Sequence, residues 1–130
     1  PRHHNVGLLP WSILCGGLLS GKYGKSAPQP AEPRSRFMRF PKYMDRWSPV
    51  KARKETISAA DAYADIAQRA QLSPVELAIL WCRTRRFVEH GSVIIGATTL
   101  AQLKENLDAF SLPVSRLTDE MLAEIDAVHM

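Results

Sequence analysis

Cysteine is scarce in this chain, with two among 130 residues, which excludes a small fold held together by a framework of disulfides. Cys15 and Cys82 are far apart in sequence, one at the end of a predicted strand and one in an apolar helix. We therefore expect both to be buried thiols in the reduced state. The four histidines show no spacing typical of metal ligands, so the sequence predicts no metal site.

The sequence also lacks a long hydrophobic run, although 45% of its residues are hydrophobic. A membrane-spanning helix needs about 20 apolar residues in a row, and Pro10 and charged residues interrupt the longest apolar stretches. No stretch has the pattern of a signal peptide. We therefore expect no membrane partner and a cytoplasmic location, for a chain long enough to form one domain.

Acidic residues are outnumbered by basic ones, 13 against 17, which gives a formal net charge of +4. Much of the excess lies in residues 34–54, where aromatic residues are interspersed with Arg and Lys. Such a segment could bind nucleic acid by stacking on bases and contacting phosphates. Its prolines instead favour a long basic loop, at 24–54, of the kind that covers a ligand site. We predict this loop and no nucleic-acid partner; a basic nucleic-acid-binding module is the less favoured alternative.

Residues 92–106 carry the most information about function. A β-branched apolar run ends at Gly96, and a helix begins directly after it, with Thr99 and Gln102 spaced as a capping box. A helix that opens at the carboxyl end of a buried strand presents unpaired backbone N–H groups and a positive dipole end, which attract anions. Gly96 lets a ligand approach the backbone closely, so the segment predicts a phosphate site. Apolar residues then follow at helical spacing, namely Leu100, Leu103 and Leu107.

A second apolar run, within residues 6–23, also ends in glycines. Gly16 and Gly17, and then Gly21, allow backbone amides to surround a polyanion, and Lys22 can neutralise its charge. From this segment alone, an ordinary glycine turn after a strand is an equally good interpretation.

The remaining chain is predicted to be helical and to serve packing. Residues 55–71 have one apolar stripe, with Asp61 placed off it. Ser73 caps the next helix and Pro74 takes its first position; that helix is apolar almost all round and should be well covered. Thr118 caps the last helix. The stripe residues are Ile57, Ala60, Ala64, Ala67 and Gln71 in the first helix, and Met121, Leu122, Ile125 and Val128 in the last.

The two glycine segments belong to a longer set of motifs with a fixed order and spacing. These motifs are Trp11-Ser12-x-Leu14 up to Gly21-Lys22-Tyr23, Ser35-Arg36-Phe37 with Arg39-Phe40, Gly96-Ala97-Thr98, Gln102-Leu103 and Glu105-Asn106. Together they span nearly the whole chain and resemble the seventh and eighth strand–loop–helix units of the aldo-keto reductase superfamily. The resemblance is closest to the branch of the Tas-like reductases and the potassium-channel β subunits.

The resemblance implies an α/β fold in which residues 1–130 form the C-terminal part of a (β/α)8 TIM barrel. That part comprises strands 7 and 8 with their helices and a C-terminal helix. Members of the superfamily use NADPH to reduce the carbonyl group of a small aldehyde or ketone. Their proton donor is a Tyr supported by Lys, Asp and His from the first half of the barrel. No Tyr in this chain has a matching motif, so we assign no catalytic residue and expect this polypeptide alone to be inactive.

The resemblance also implies which residues bind NADPH. Trp11 would lie against the nicotinamide ring, residues 12–16 would follow the pyrophosphate, and Lys22 and Arg36 would add positive charge nearby. Barrel packing remains an alternative role for Trp11. The implied cofactor-binding residues are Trp11, Ser12, Ile13, Leu14, Cys15, Gly16, Lys22, Arg36, Gly96, Thr98, Gln102, Glu105 and Asn106.

At the adenosine end of the cofactor, Gly96 and Thr98 would hold the phosphate on the ribose, helped by Gln102. Glu105 and Asn106, one helical turn further on, would meet the adenine. An exposed helix charge with no ligand is the alternative role for Glu105.

Two residues depart from the superfamily pattern. Ile13 stands where a proline is usual, and Pro10 lies inside the predicted strand. Because proline has no N–H, Pro10 removes one donor from the strand ladder, and we expect the pairing there to be weakened or shifted.

Two parallel strands cannot close a barrel, and parallel strands are normally buried on both faces. We therefore expect the apolar runs at 8–9 and 93–95 to keep exposed edges and faces. Such surfaces favour self-association or pairing with the missing half of the barrel. An alternative to the reductase is a non-catalytic subunit that keeps the nucleotide pocket as a sensor or interaction module.

Overall fold

The computed structural model describes residues 4, 6–24, 40 and 54–128. Most of the described part is helical. Helix α1 spans Lys54–Arg69, α2 spans Pro74–Arg83, α3 spans Leu100–Ser111 and α4 spans Asp119–Ala127, with short 3-10 turns at Cys15–Ser20, Arg86–Val88 and Val114–Arg116. The predicted loop at 24–54, including Arg36, lies almost entirely outside the described residues.

The starts of three helices follow the predicted caps. Ser73 and Glu76 form a complete capping box at α2, since each side chain accepts a hydrogen bond from the backbone N–H of the other. The Thr99 hydroxyl accepts from Gln102 N at 3.2 Å to begin α3. The Thr118 hydroxyl accepts from Met121 N to begin α4. Each bond satisfies an N–H group that has no partner within its helix.

The core lies between α1, α2 and α4, with α3 packed on the other side of α2. Ile79 and Leu80 of α2 are fully buried, which confirms that this helix is well covered. Leu80 belongs to a cluster with α1 and α4, while Ile79 belongs to a second cluster with Ala109 of α3. The predicted stripe of α4 packs as expected, with Ile125 buried against the first cluster.

The predicted stripe of α1 is correct at Ala67, which is fully buried, and wrong at Asp61, which is also buried. The Asp61 carboxylate lies beneath Gly24, where a Cβ would come within 2.5 Å of its Oδ1. In the sequence, a charged residue off the apolar stripe of a helix predicts a solvent-facing position. Here Gly24, the first residue of the predicted loop, lies over Asp61.

The two predicted strands are not confirmed, because the described residues contain no strand ladder. The segments concerned, 6–10 and 92–97, still run side by side in the same direction. Leu8 N donates to Phe87 O at 2.9 Å, and Ile94 N donates to Pro10 O at 2.9 Å.

Two residues explain why this pairing does not continue as a ladder. In a parallel ladder, the bond from Ile94 N to Pro10 O would be joined by one from the N–H of residue 10 to Ser92 O, and proline has no N–H. The bridge on the other side would need Ser12 N to donate to Ile94 O. Ser12 has a φ of 57°, outside the strand region. The expected weakening at Pro10 therefore agrees with the single bond at this position.

Apolar side chains along these segments are exposed. Leu8, Leu9 and Ile94 are each about half exposed, as expected for unpartnered faces, whereas Val93 is buried. The leucines of α3 also face solvent, and Leu100 is 82% exposed. The side of α3 that packs is formed instead by Asn106 and Ala109. None of the helices in the described ranges is both long and apolar enough to span a bilayer.

Candidate functional site

The first glycine segment forms a tight 3-10 turn, Cys15–Ser20, that contains a kink. Gly16 and Gly17 have φ values of 66° and 96°, a left-handed backbone that favours glycine. Three amides of this turn donate to carbonyls of the residues just before it: Cys15 N to Ser12 O, Gly17 N to Leu14 O, and Leu19 N to Leu14 O. These N–H groups are satisfied internally, so they do not surround a polyanion in this conformation.

We call residues 11–22, which contain this turn, the first corner. Lys22 supplies its positive charge. Its side chain is exposed, and its Nζ lies 5.1 Å from the centroid of the Tyr23 ring, a distance typical of a cation–π contact. The end of the side chain also lies over Gly17, where an added Cβ would come within 2.6 Å of Lys22 Cε. The predicted role of Lys22 is therefore compatible with its exposure.

The side chains of the first corner point to two different environments. Ile13 and Leu14 pack against the buried cluster of Ile79 and Ala109, so their side chains serve the core. Trp11, in contrast, is 61% exposed. Its indole is accessible to a ligand in this structure, and this exposure fits either of its two predicted roles.

The second glycine segment forms the second corner, residues 96–102, at the start of α3. Gln102 Oε1 accepts two hydrogen bonds from Thr98, one from its backbone N (2.9 Å) and one from its hydroxyl (3.0 Å). In the predicted capping box, the Gln102 side chain would accept a hydrogen bond from Thr99 N; here it accepts from Thr98 N instead. Two donors of one residue converge on a single oxygen, so a phosphate oxygen that displaced the Gln102 side chain would meet both of them.

The space next to this corner is open. A Cβ added at Gly96 would meet no atom of the described residues within 4 Å, so a ligand can approach the backbone there. Glu105 is exposed on α3, which fits either of its two predicted roles.

Asn106, the second residue predicted to meet the adenine, is engaged within the structure. It is only 2% exposed, and its Nδ2 donates to Gly96 O at 3.3 Å. This bond fixes the Gly96 carbonyl against α3 and so stabilises the corner itself. No sequence signal predicts this contact, because the two residues are ten positions apart.

The two corners leave the paired segments at the same end. The bond from Ile94 N to Pro10 O lies two residues before Ser12 in one segment and two residues before Gly96 in the other. Since the segments run in the same direction, both corners follow this bond on the same side. The structure therefore brings the two halves of the predicted site near each other, apart from Arg36, which is outside the described residues.

An apolar cavity of about 300 Å³ lies behind the first corner, and sequence reasoning missed it. Its lining comes from segments that are distant in sequence, including Cys15, Tyr63 and Cys82. Both cysteines are free thiols, as predicted, although Cys15 is only half-buried. Burial raises the pKa of each thiol, which keeps both protonated near neutral pH. No group of three potential metal ligands occurs among the residues that the structure describes.

Comparison with known proteins agrees with these motifs. The chain is 37% identical to the protein Tas of Escherichia coli over 128 residues, which is 98% of this chain and 33% of Tas. It is 32% identical over 130 residues to an aldo-keto reductase of Babesia bovis, 99% of this chain and 42% of that protein.

A third relative is a probable voltage-gated potassium channel subunit beta of Oryza sativa, 34% identical over 125 residues, 96% of this chain and 36% of the subunit. The chain therefore spans about a third to two fifths of the length of these relatives. The sequence model of the Aldo/keto reductase family matches residues 2–129. Because this match covers nearly the whole chain, the protein belongs to the aldo/keto reductase family.

Proposed function

We propose that this chain forms the NADPH-binding end of an aldo/keto reductase, an oxidoreductase whose complete (β/α)8 barrel reduces aldehydes or ketones by hydride transfer. The observation that carries the proposal is the bond from Ile94 N to Pro10 O, which joins the two segments and leaves both glycine corners at one end. One corner offers an exposed cation at Lys22 and the other offers two convergent donors at Thr98. A dinucleotide with phosphates at two separate positions fits this pair of corners.

The residues at the second corner fit the phosphate that distinguishes NADPH from NADH. Gln102 Oε1 marks a position that both donors of Thr98 can reach. A phosphate oxygen that replaces it would receive the same two bonds, strengthened by its negative charge. Gln102 N is already bonded to the Thr99 hydroxyl. The Thr98 hydroxyl, in contrast, is a side-chain donor that a substitution can remove.

At the nicotinamide end, the cofactor when bound supplies the hydride, and the protein orients the ring. The exposed indole of Trp11 provides a flat apolar surface for that ring. No tyrosine here matches a proton-donor motif, so we propose that the donor comes from the rest of the complete barrel.

The same exposed apolar side chains support pairing with the rest of the barrel. Leu8, Leu9 and Ile94 lie on the segments that would become strands 7 and 8. Neighbouring strands would cover these side chains and pair with the backbone groups that have no ladder. We propose a complementary barrel segment as the partner that covers this face. The cytoplasmic location stays a prediction.

The proposed phosphate contact is tested by Thr98→Val, which removes the hydroxyl donor and keeps the size of the side chain. Loss of one hydrogen bond to a charged group costs about 1.5 kcal/mol, so the Kd for NADPH should rise about tenfold while the Kd for NADH stays unchanged. Quenching of intrinsic fluorescence in the complete protein measures both constants.

Thr118→Val is the control, because it makes the same substitution at the N-cap of another helix, α4. It should lower stability without changing either Kd. Equal weakening of NADPH and NADH by Thr98→Val would remove the proposed role of Thr98 in phosphate recognition.

The similarity to a probable potassium channel subunit beta favours a second candidate, a nucleotide-sensing subunit without turnover. The two candidates differ in whether bound NADPH is consumed. Loss of NADPH absorbance when aldehydes and ketones are added to the complete protein supports the reductase, whereas tight binding without oxidation supports the sensor.

A further inference from the structure

We propose that Gly17 is a positioning residue for cofactor binding: the space left by its missing side chain holds the Lys22 ammonium over the first corner, facing the pyrophosphate. This inference rests on the proposed function. It adds a residue that has no direct contact with the cofactor and acts through Lys22.

The space at Gly17 is filled by the end of the lysine side chain. A Cβ built on Gly17 would lie 2.6 Å from Lys22 Cε and 2.7 Å from Nζ, much closer than non-bonded atoms approach. The clash involves the far end of a flexible side chain, which can rotate away at little cost. A methyl group at position 17 would therefore displace the ammonium before it disturbed the surrounding fold.

Hydrogen bonds within the turn fix the backbone of Gly17 beneath the lysine side chain. Gly17 O accepts a hydrogen bond from the Ser20 hydroxyl at 2.7 Å, and Gly17 N donates to Leu14 O. The Tyr23 ring also lies near the lysine, with its centroid 5.1 Å from Nζ. The ammonium is thus close both to Gly17 and to an aromatic ring.

The charge of Lys22 remains available for a ligand. Lys22 forms no ion pair with any carboxylate of the described residues. The amides of Cys15, Gly17 and Leu19 are engaged within the turn, so the attraction of this corner for an anion depends on the ammonium. Because electrostatic attraction falls with distance, displacement of this one group weakens binding of a pyrophosphate.

The position of Lys22 is tested first without cofactor. In protein labelled with 13C-lysine, the ring of Tyr23 should shift the Lys22 Hε resonances upfield of those of exposed Lys104. Lys22→Arg identifies the signal by its disappearance. In Gly17→Ala the upfield shift should be lost. A Lys22 signal that lacks the shift in the wild-type protein, or keeps it in Gly17→Ala, overturns the proposal.

Backbone strain at a positive φ is controlled by Gly21→Ala. Gly21 has a φ of 79°, close to that of Gly17, but a Cβ there would meet Pro74 Cγ at 3.3 Å and not Lys22. This variant should keep the Lys22 shift. If Gly17→Ala does not fold, Gly17→Asn fills the same space with a residue that tolerates positive φ better. Loss of the shift in Gly21→Ala as well would attribute the effect to strain and overturn the proposal.

The role in binding is tested by a double-mutant cycle in the complete protein. Gly17→Ala should raise the Kd for NADPH about fivefold to tenfold, and the Kd for NADH by the same factor, because both cofactors carry the pyrophosphate. In a Lys22→Met background, Gly17→Ala should cause no further loss. If the fold-changes in Kd caused by the two substitutions multiply, the substitutions act independently, and Gly17 does not act through Lys22.

Failure of NADPH binding and failure of the Gly17 role give different results. A wild-type protein that binds neither NADPH nor NADH refutes the proposed function, whatever the resonances of Lys22 show. A wild-type protein that binds NADPH while the cycle is fully additive refutes only the role of Gly17.

Discussion

Gly7→Ala is expected to separate the two paired segments and to lower the free energy of unfolding by about 3 kcal/mol, the upper part of the usual range for overpacking. A Cβ at Gly7 would lie 2.0 Å from His90 O and 2.4 Å from Gly91 N. These are backbone atoms and cannot rotate away as a side chain can. Relief therefore requires the segments to move apart, which breaks the bonds made by Leu8 N and Ile94 N.

Urea unfolding followed by circular dichroism measures the loss of stability, and amide hydrogen exchange at Leu8 and Ile94 locates it. Gly96→Ala is the control for stability, because a Cβ there meets nothing within 4 Å among the described atoms. That variant should change the free energy of unfolding by less than about 1 kcal/mol. Equal stability of the two variants would mean that the segments do not approach each other as described.

Leu80→Ala is expected to lower the free energy of unfolding by about 3 kcal/mol, a typical cost of removing a fully buried leucine side chain. Leu80 has no exposed surface and lies where α1, α2 and α4 meet. The neighbouring helices cannot close the resulting cavity completely, so both burial and packing are lost. Urea unfolding of wild type and variant gives the difference directly.

Leu100→Ala is the matched control, since it makes the same chemical change on α3 at a side chain that is 82% exposed. Its effect should stay within about 0.5 kcal/mol. A loss at Leu100 as large as that at Leu80 would show that the leucines of α3 are covered in the isolated chain, for example by a second copy.

These variants bear on function because the corners depend on the packing behind them. Ile13 and Leu14 pack on the same side of α2 as Ile79, so the first corner is attached to the core through its own side chains. The second corner is attached through the bond from Asn106 Nδ2 to Gly96 O. The pairing at Gly7 then sets the two corners relative to each other. We expect loss of this pairing to weaken the proposed cofactor binding more than loss of either attachment.

The sequence by itself determined the local features of this protein. The starts of α2, α3 and α4 follow Ser73, Thr99 and Thr118, because a cap is a contact between residues three positions apart. Coverage of α2 followed from its apolar composition on all sides. The order of the motifs indicated the aldo/keto reductase family, which the match over residues 2–129 shows.

The tertiary structure alone decided the features that join distant residues. Burial of Asp61 depends on a segment that folds over it, and the cavity depends on four separate parts of the chain. The missing ladder at Pro10 depends on which N–H faces which carbonyl across about eighty residues of sequence. Helical spacing and caps depend on contacts between residues close in sequence, whereas pairing and burial are set by the whole chain. The local turns and helix starts of the candidate site were therefore predictable, but their packing was not.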